Sequence, residues 1–452
     1  MKSVVSLVVA LALAGCSVPL IQPDPSQEVA GRFASGLPSG TEPLDMDWWS
    51  RTGDAQLTEL LSLAMTQSPD LRSAAAQVLA ARAAAGQSAA GQFPTLTGQA
   101  SSTRSHDGGG ATTQTDTAYL SASWEIDLFA AAARSAEASR LRARSEDFTY
   151  AGAYVSLAGE VADTYVRYRA CRLVEGVYRQ ALASQRETLE ATLSLSGAGL
   201  RAGSDLSLAR ANVASSQISL QTQRADCRVL AQTLATVVGV GQDRIDAILS
   251  HGGGLPASRP FRVAEVPAEM LRQRPDVVAA ELDFAASLRD LDAAQADLWP
   301  SLSLSGNITL SDPASWSFGP ALSLPIFDAG RRRAAVRGAN ADALVAAERY
   351  RASVLSAVAE AEGALTRLNA AAANLGSAGT LVDEYTAYFQ AVDSDWQAGG
   401  VSLLDREEAR RQMQSAQITR ITQRETLLRQ WIALYKAMGG GWSRPAAPQH
   451  PS

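Results

Sequence analysis

Short stretches of the chain alternate between apolar and polar positions. Leu120, Ala122, Trp124, Ile126 and Leu128 interleave with Ser121, Ser123, Glu125 and Asp127. Leu302, Leu304, Gly306, Ile308 and Leu310 interleave with Ser301, Ser303, Ser305, Asn307 and Thr309. Thr95–Thr103 alternates more weakly, and Trp316, Phe318, Leu322, Leu324 and Ile326 continue the theme. Period-two patterning places apolar side chains on one strand face and polar ones on the other. Segments of roughly ten such residues, paired as hairpins, are what a transmembrane β-barrel uses, with lipid outside and water inside. The alternative is a set of half-buried strands in a soluble sheet. Four strands cannot close a barrel, and open sheet edges are not tolerated in hydrocarbon. A barrel therefore requires several chains. Two would give eight strands, largely filled by side chains, and three would give twelve, enough for a channel. The loops "SHDGGGATTQTD" and "SDPAS" become the hairpin tips at the cell surface.

The rest of the chain reads as helix. No proline lies between Pro94 and Pro256, or between Pro325 and Pro445, although the chain has 18. Proline breaks helix interiors, and both stretches are rich in Ala, Leu, Arg, Gln and Glu, which favour helix. Leu381, Tyr385, Tyr388, Phe389, Val392 and Trp396 recur at helical intervals, as do Ile421, Leu428, Trp431, Tyr435 and Met438. Each stretch has one Gly-containing break, "GAGLRAGSDLS" at Gly197–Ser207 and "WQAGGVSLLD" at Trp396–Asp405. Each therefore reads as a long helical hairpin. An arm from Arg134 to Leu200 would be about 100 Å long at ~1.5 Å per residue. Cys171 and Cys227 average to position 199, inside the first break, so they fall at one height on the two arms. They form a disulfide if the side chains face each other, and remain two buried thiols otherwise.

The chain is duplicated. "SPDLRSAAAQV" matches "RPDVVAAELDF", and "FPTLTGQAS" matches "WPSLSLSGN"; Pro69 and Pro94 recur as Pro275 and Pro300, 206 positions on. "SWEIDLF" and "SLPIFDAG" match at about 200, and "RAGSDLSLAR" and "QAGGVSLLDR" at 196. The expected organisation is a signal peptide over 1–15 and an N-terminal segment over 16–56. Two repeats follow, 57–262 and 263–440, then a tail over 441–452. Each repeat comprises a helix, a β-hairpin (about 94–128 and 300–327) and a helical hairpin (about 129–238 and 328–440). The fold class is mainly α with membrane β.

The ends and composition narrow the function. Lys2 and the apolar run Val4–Ala14 form a secretory signal, too short to span about 30 Å of hydrocarbon. Leu13-Ala14-Gly15-Cys16 looks like a bacterial lipobox, in which Cys16 is lipidated and becomes the new N-terminus. Ser17 in place of Asp favours outer-membrane sorting. Net charge is −6 and no basic run suggests nucleic acid. The three His are scattered, and no metal-ligand spacing, nucleophile elbow or phosphate loop is present. No catalytic residues, metal site or cofactor beyond the Cys16 lipid are expected.

Taken in order, "DWWSRTGDAQLTELLSLAMTQSPDLRSAAAQVLAARA", "SWEIDLF", "LRQRPDVVAAELDFAAS", "LSLPIFDAGRRRA" and the two hairpin breaks resemble the TolC/NodT-type outer-membrane efflux factors, lipoprotein branch. The resemblance covers nearly the whole mature chain. It implies a homotrimer with a twelve-stranded β-barrel in the outer membrane and an α-helical barrel across the periplasm. Such a trimer is the non-enzymatic exit duct of a tripartite pump, passing drugs or other small molecules. Its implied partners are a periplasmic adaptor and an inner-membrane transporter, commonly of the proton-driven resistance-nodulation-division type. The adaptor-contact tips map onto Ala202-Gly203-Ser204 and Ala398-Gly399-Gly400. The acidic residues that narrow the closed pore map onto Asp405 and Glu408, which share one helix face. Without the resemblance the same pair reads as a solvated acidic face beside Arg406 and Arg410. Val401 stands where some relatives carry a latching Arg, and the 196-residue offset gives Asp405 and Glu408 the neutral counterparts Ala209 and Asn212. The alternatives are an exit duct for type I protein secretion and a periplasmic coiled-coil adaptor lipoprotein.

Overall fold

The computed structural model describes residues 18–23, 32–38, 44, 48–200, 202–257, 260–263, 274–310 and 313–442. Cys16, the signal peptide, residues 311 and 312 of the second surface loop and the tail beyond 442 lie outside the described residues.

A short 3-10 helix, Trp48–Thr52, precedes α1 (Ala55–Gln67) and α2 (Pro69–Ala90). Strands β1 (Thr95–His106) and β2 (Thr112–Ile126) follow, then α3 (Ala131–Gly197), α4 (Gly203–Val238) and α5 (Gln242–Leu249). The second half repeats the order: α6 (Pro275–Ala296), β3 (Ser301–Leu310), β4 (Ser315–Ser323), α7 (Arg331–Gln397) and α8 (Leu403–Ala437). Helices α3 and α7 have 67 residues each, α4 and α8 have 36 and 35, and α2 and α6 have 22 each. The strands differ, with 12 and 15 residues in the first hairpin against 10 and 9 in the second. The offset between the copies is therefore 206 up to β1 and β3 and 200 from α3 and α7 onward, so the missing residues all come from the β-hairpin.

Contacts divide the chain into two units. The first comprises Met1–Glu28, Ala75–Tyr150 and Asp276–Val354. Its centre is one antiparallel sheet of order β1-β2-β3-β4. Both strand-to-helix junctions are built alike. Ala130 and Ala329 hold left-handed backbone (φ 61° and 53°), and an aspartate caps the helix that follows. Asp127 accepts from the N–H groups of Ala132 (3.3 Å) and Ala133 (2.8 Å). Asp328 accepts from those of Gly330 (3.0 Å) and Arg332 (3.1 Å). An acidic side chain there satisfies orphan donors and suits the positive end of the helix. Below the sheet the contacts are small residues, with Ala136, Ala138, Val336 and Ala343 all buried. The Ser145 hydroxyl donates to the Ala279 carbonyl (3.1 Å), tying α3 to α6.

The second unit comprises Val29–Ala74, Ala151–Pro275 and Leu355–Ser452. An aromatic cluster fixes its core. Trp48 stacks on Tyr435 at 5.7 Å between ring centres, Trp49 meets Tyr435 edge-on at 4.6 Å, and Phe261 bridges Trp48 and Trp431. The Tyr165 hydroxyl donates to Asp54, which also caps α1, and burial and the Asp54 charge push the phenol pKa up. Along α7, Ala357, Ala361, Ala364, Leu365, Leu368 and Ala371 form a buried helical stripe. The small side chains let neighbouring helices approach closely.

Candidate functional site

The sheet has two faces of opposite character. Register pairs Leu120 with Gly98 and Ile308, Trp124 with Leu304, Ile308 with Trp316, and Leu302 with Leu322. Directly paired residues share a face, so one side carries Leu96, Leu120, Ile308, Leu310, Trp316, Phe318 and Leu322, all exposed. The other carries Gln99, Ser101, Thr117, Tyr119, Ser303, Asn307 and Ser317. Hydrogen bonds knit this polar side: Ser101 to Thr117 at 2.7 Å, and Tyr119 to Gln99. The apolar face has a sharp upper limit. Above Ala100 and Ala118, the same side turns to Ser102, Asp116, Arg104 and Gln114. From Ala118 to Ile126 the band measures about 26 Å along the strand at ~3.3 Å per residue, near the height of the apolar band of membrane barrels. Among the described residues no helix is long and apolar enough to cross a membrane.

The far ends of the helical hairpins are the second feature. Helix α3 closes with Ala198 N–H on the Ser194 carbonyl, Gly199 on Ser196 and Leu200 on Leu195. Helix α7 closes with Ala398 on Ser394, Gly399 on Trp396 and Gly400 on Asp395. The same turn therefore recurs 200 positions on, with Gly199 (φ 72°) and Gly399 (φ 80°) in the left-handed conformation that ends a helix. This corrects the 196-residue alignment of the tips. Gly203 is not the turn glycine but the first residue of α4. The slip is four residues, about one helical turn, so the sequence match kept the helix faces in phase while missing the turn. The positions equivalent to Asp405 and Glu408 are thus Asp205 and Leu208, not Ala209 and Asn212. Ala202, Gly203, Ser204, Ala398, Gly399 and Gly400 are all exposed.

Asp405 and Glu408 lie on the exposed face of the first turns of α8. Asp405 closes a capping box. Its N–H donates to the Ser402 hydroxyl (3.2 Å), and its carboxylate accepts from the Ser402 hydroxyl (2.6 Å) and N–H (3.1 Å). These bonds hold its carboxyl below the usual range. Glu408 accepts from Arg411 and from Gln412 (3.1 Å), which lower its pKa likewise. Both side chains stay anionic and point to solvent.

Directly behind them is a buried polar cluster that the sequence reading passed over as surface charge. Glu407 and Arg410 are 1% and 4% exposed. Arg410 pairs with Glu407 and donates to Ser184 and Thr188 of α3 (3.2 Å to Thr188). Arg406 joins Asp393 of α7, Glu407 and the Thr188 hydroxyl (2.9 Å), with its guanidinium 4.5 Å from the Trp396 ring. Gln185 donates to Glu407. Burial disfavours the Arg410 charge and Glu407 opposes that effect. The cluster fastens the root of α8 to α3 and α7. Its signal in the sequence is the succession Leu403, Glu407 and Arg410, steps of four and three that put both charges on the same helix face as a buried leucine.

Cys171 and Cys227 are joined in a disulfide, Cα to Cα 5.6 Å, cross-linking α3 and α4. Among the described residues no group of three or more His, Cys, Asp or Glu side chains could hold a metal.

A sheet with one lipid-type and one water-type face, joined to long helical hairpins, defines a subunit of a membrane channel. The comparisons with known proteins name the class more closely. The family model described as outer membrane efflux protein matches residues 60–240 and 266–440. The chain belongs to that family. Nodulation protein T of Rhizobium leguminosarum bv. viciae is 28% identical, over 98% of this chain and 95% of that protein. Solvent efflux pump outer membrane protein SrpC of Pseudomonas putida is 30% identical over 86% of each chain. The solved outer-membrane channel OprN is 29% identical with a TM-score of 0.82, covering 93% of this chain and 99% of its own. The protein is therefore an outer-membrane efflux channel, the exit duct of a tripartite pump, and not an enzyme.

Proposed function

We propose that three copies close a twelve-stranded barrel through which small molecules such as drugs leave the cell. The observation that carries this is the single sheet whose apolar face is exposed from β1 to β4, while its edge strands, β1 and β4, pair with no further strand among the described residues. Such edges are costly in lipid unless another copy pairs with them. The inner-membrane partner is proton-driven, the periplasmic adaptor meets the tips at Ala202–Ser204 and Ala398–Gly400, and the covalent lipid sits on Cys16. Asp405 and Glu408 form two rings of three carboxylates at the periplasmic mouth. Their mutual repulsion favours opening and their charge favours cations. Cargo selection belongs to the inner-membrane partner. Two relatives of similar identity are named for solvent efflux and for pyoverdine export, so chemically different cargoes are served within this family.

The test is single-channel conductance in planar bilayers of the lipidated wild type and of an Asp405→Asn, Glu408→Gln variant. A low wild-type conductance that changes in the variant supports the gate. Insertion without conductance in either protein sinks it.

A further inference from the structure

The N-terminal segment is pinned to α7 by one side chain. The Ile21 N–H donates to the Asn340 Oδ1 (3.1 Å), and the Asn340 amide donates back to the Ile21 carbonyl (2.9 Å). The side-chain amide thus imitates a strand partner for a single backbone residue. Asn340 is 6% exposed, whereas Ile21 is 69% exposed. The segment is therefore held by its backbone, with its own side chain left in solvent. Asn is a poor choice for a helix interior on propensity alone, and here its amide makes both of these bonds.

The position of this clasp is informative. Cys16 lies five residues before Ile21. A leash of that length reaches at most about 17 Å. Asn340 lies nine positions after Arg331, the first residue of α7, which is about 14 Å along the axis. Just before that helix stand Ile326 and Phe327, 93% and 89% exposed, where β4 has ended. Large apolar side chains at that exposure, at the helical end of a lipid-facing sheet, mark the edge of the hydrocarbon.

We infer that Asn340 is the fixed point of the lipid anchor. It holds Ile21 so that the leash places Cys16 at the periplasmic rim of the membrane, with its acyl chains in the leaflet beside Ile326 and Phe327. The leash is long enough to reach that level and too short to carry the lipid deeper. This inference rests on the reading that Cys16 is lipidated. The occupant of the apolar rim is then the chain's own acylated N-terminus.

The test uses the full-length protein in lipid nanodiscs. Intact mass of the N-terminal peptide establishes acylation first. Hydrogen exchange then reads the Ile21 amide, and a spin label on Pro19→Cys reads depth by collision with oxygen against a nickel chelate. With Cys16 acylated and Cys171–Cys227 bonded, the label has one free thiol to react with. In the wild-type background Ile21 should exchange slowly and the label should sit at headgroup depth. Asn340→Leu should speed Ile21 exchange at least about tenfold and broaden the range of depths of the label, which the acylated Cys16 three residues away still keeps near the membrane. Asn340→Asp, which keeps the acceptor and loses the donor, should fall between. In Cys16→Ser, Ile21 should stay protected, because the clasp does not need the lipid. Peptides around Cys171 serve as the folding control and should not change. Rapid Ile21 exchange in the wild type, or no effect of Asn340→Leu, overturns the inference. An unacylated Cys16 with a protected Ile21 removes the lipid reading and leaves the clasp as a plain pin, which also overturns it.

Discussion

Removing the Glu407 charge should loosen the periplasmic mouth more than removing the exposed carboxylates beside it. Glu407 and Arg410 are almost wholly buried and bonded to each other. Breaking one side of a buried ion pair strands the other charge and costs on the order of 3–5 kcal/mol. In Glu407→Gln, Arg410 loses its buried counter-charge and keeps only neutral side-chain acceptors: the Ser184 and Thr188 hydroxyls and the amide oxygen of the new side chain. Gln185 also loses its charged acceptor. A cost of about 3 kcal/mol corresponds to roughly a hundredfold in an opening equilibrium. Amides of α8 between Arg406 and Gln414 should therefore exchange about a hundredfold faster, with those around Cys227 unchanged. Conductance should rise, because the segment carrying Asp405 and Glu408 is released from α3. A double variant, Glu407→Met with Arg410→Met, removes both charges and should restore much of the protection, since apolar replacement of a buried pair is often neutral or stabilising. The Arg410 Nε and Gln185 Oε1 atoms already lack partners, so the native cluster is not optimal for stability. Exchange of α8 within about threefold of wild type in Glu407→Gln would refute the reasoning.

Three further outcomes follow from the geometry. Gly199→Ala and Gly399→Ala should each cost about 1–2 kcal/mol, purely through the left-handed backbone, because a Cβ would meet nothing within 4 Å. Gly203→Ala should be neutral or stabilising, and a thermal melt showing the reverse order would undo the 200-residue equivalence of the tips. Replacing Cys171 and Cys227 together by Ala should cost up to about 4 kcal/mol in a chain-entropy description, given their separation of 56 residues, read as a lower melting temperature. Asp405 and Glu408 both have lowered pKa values. The contribution of each carboxylate is thus present above its ordinary pKa and is lost only as pH falls through the depressed one. Channel opening tied to these rings should stay flat from neutral pH down to about pH 4 and change below it; a midpoint near pH 6 would point to another group.

Much of the fold was readable because its signals are local. Alternation over Leu120–Leu128 and Ser301–Leu310 dictates two-faced strands, and the absence of proline licenses the 67-residue helices. The cysteines were informative because a hairpin makes sequence distance from the turn equal to height. Their midpoint, 199, is the residue that carries the turn's positive φ. The tip register was misread because α-helices repeat nearly every four residues, so "RAGS" and "QAGG" align one turn out of place. The Glu407 cluster was illegible for a different reason. "DREEARRQ" has the composition of a solvated face, and only the meeting of α3, α7 and α8 decides which of its charges is buried. The Ile21–Asn340 clasp leaves no pattern at all, since backbone groups accept any sequence.

The two copies share helix lengths almost residue for residue, yet they are fastened in different ways, and the difference bears on which part can move. The first hairpin is closed by a covalent bond between α3 and α4. Nearby Glu175, itself buried, gathers Arg172, Arg179 and Arg224; burial alone would raise its pKa, and the hydrogen bonds from Arg179 and Arg224 outweigh it. In the second hairpin no cysteine is present. Where α8 carries Arg406, Glu407 and Glu408, α4 carries Leu206, Ser207 and Leu208. A disulfide cannot be exchanged for water, whereas an ion pair can, at a cost of a few kcal/mol that a bound partner is able to supply. The division follows from chemistry rather than shape. For the proposed gate this predicts that the first hairpin keeps one arrangement and that the second changes when a partner binds that favours another. If the proposed carboxylate rings form, Glu407 and Arg410 are a restraint whose strength is set by burial, and the repulsion between the rings of Asp405 and Glu408 is the push that acts once it is released.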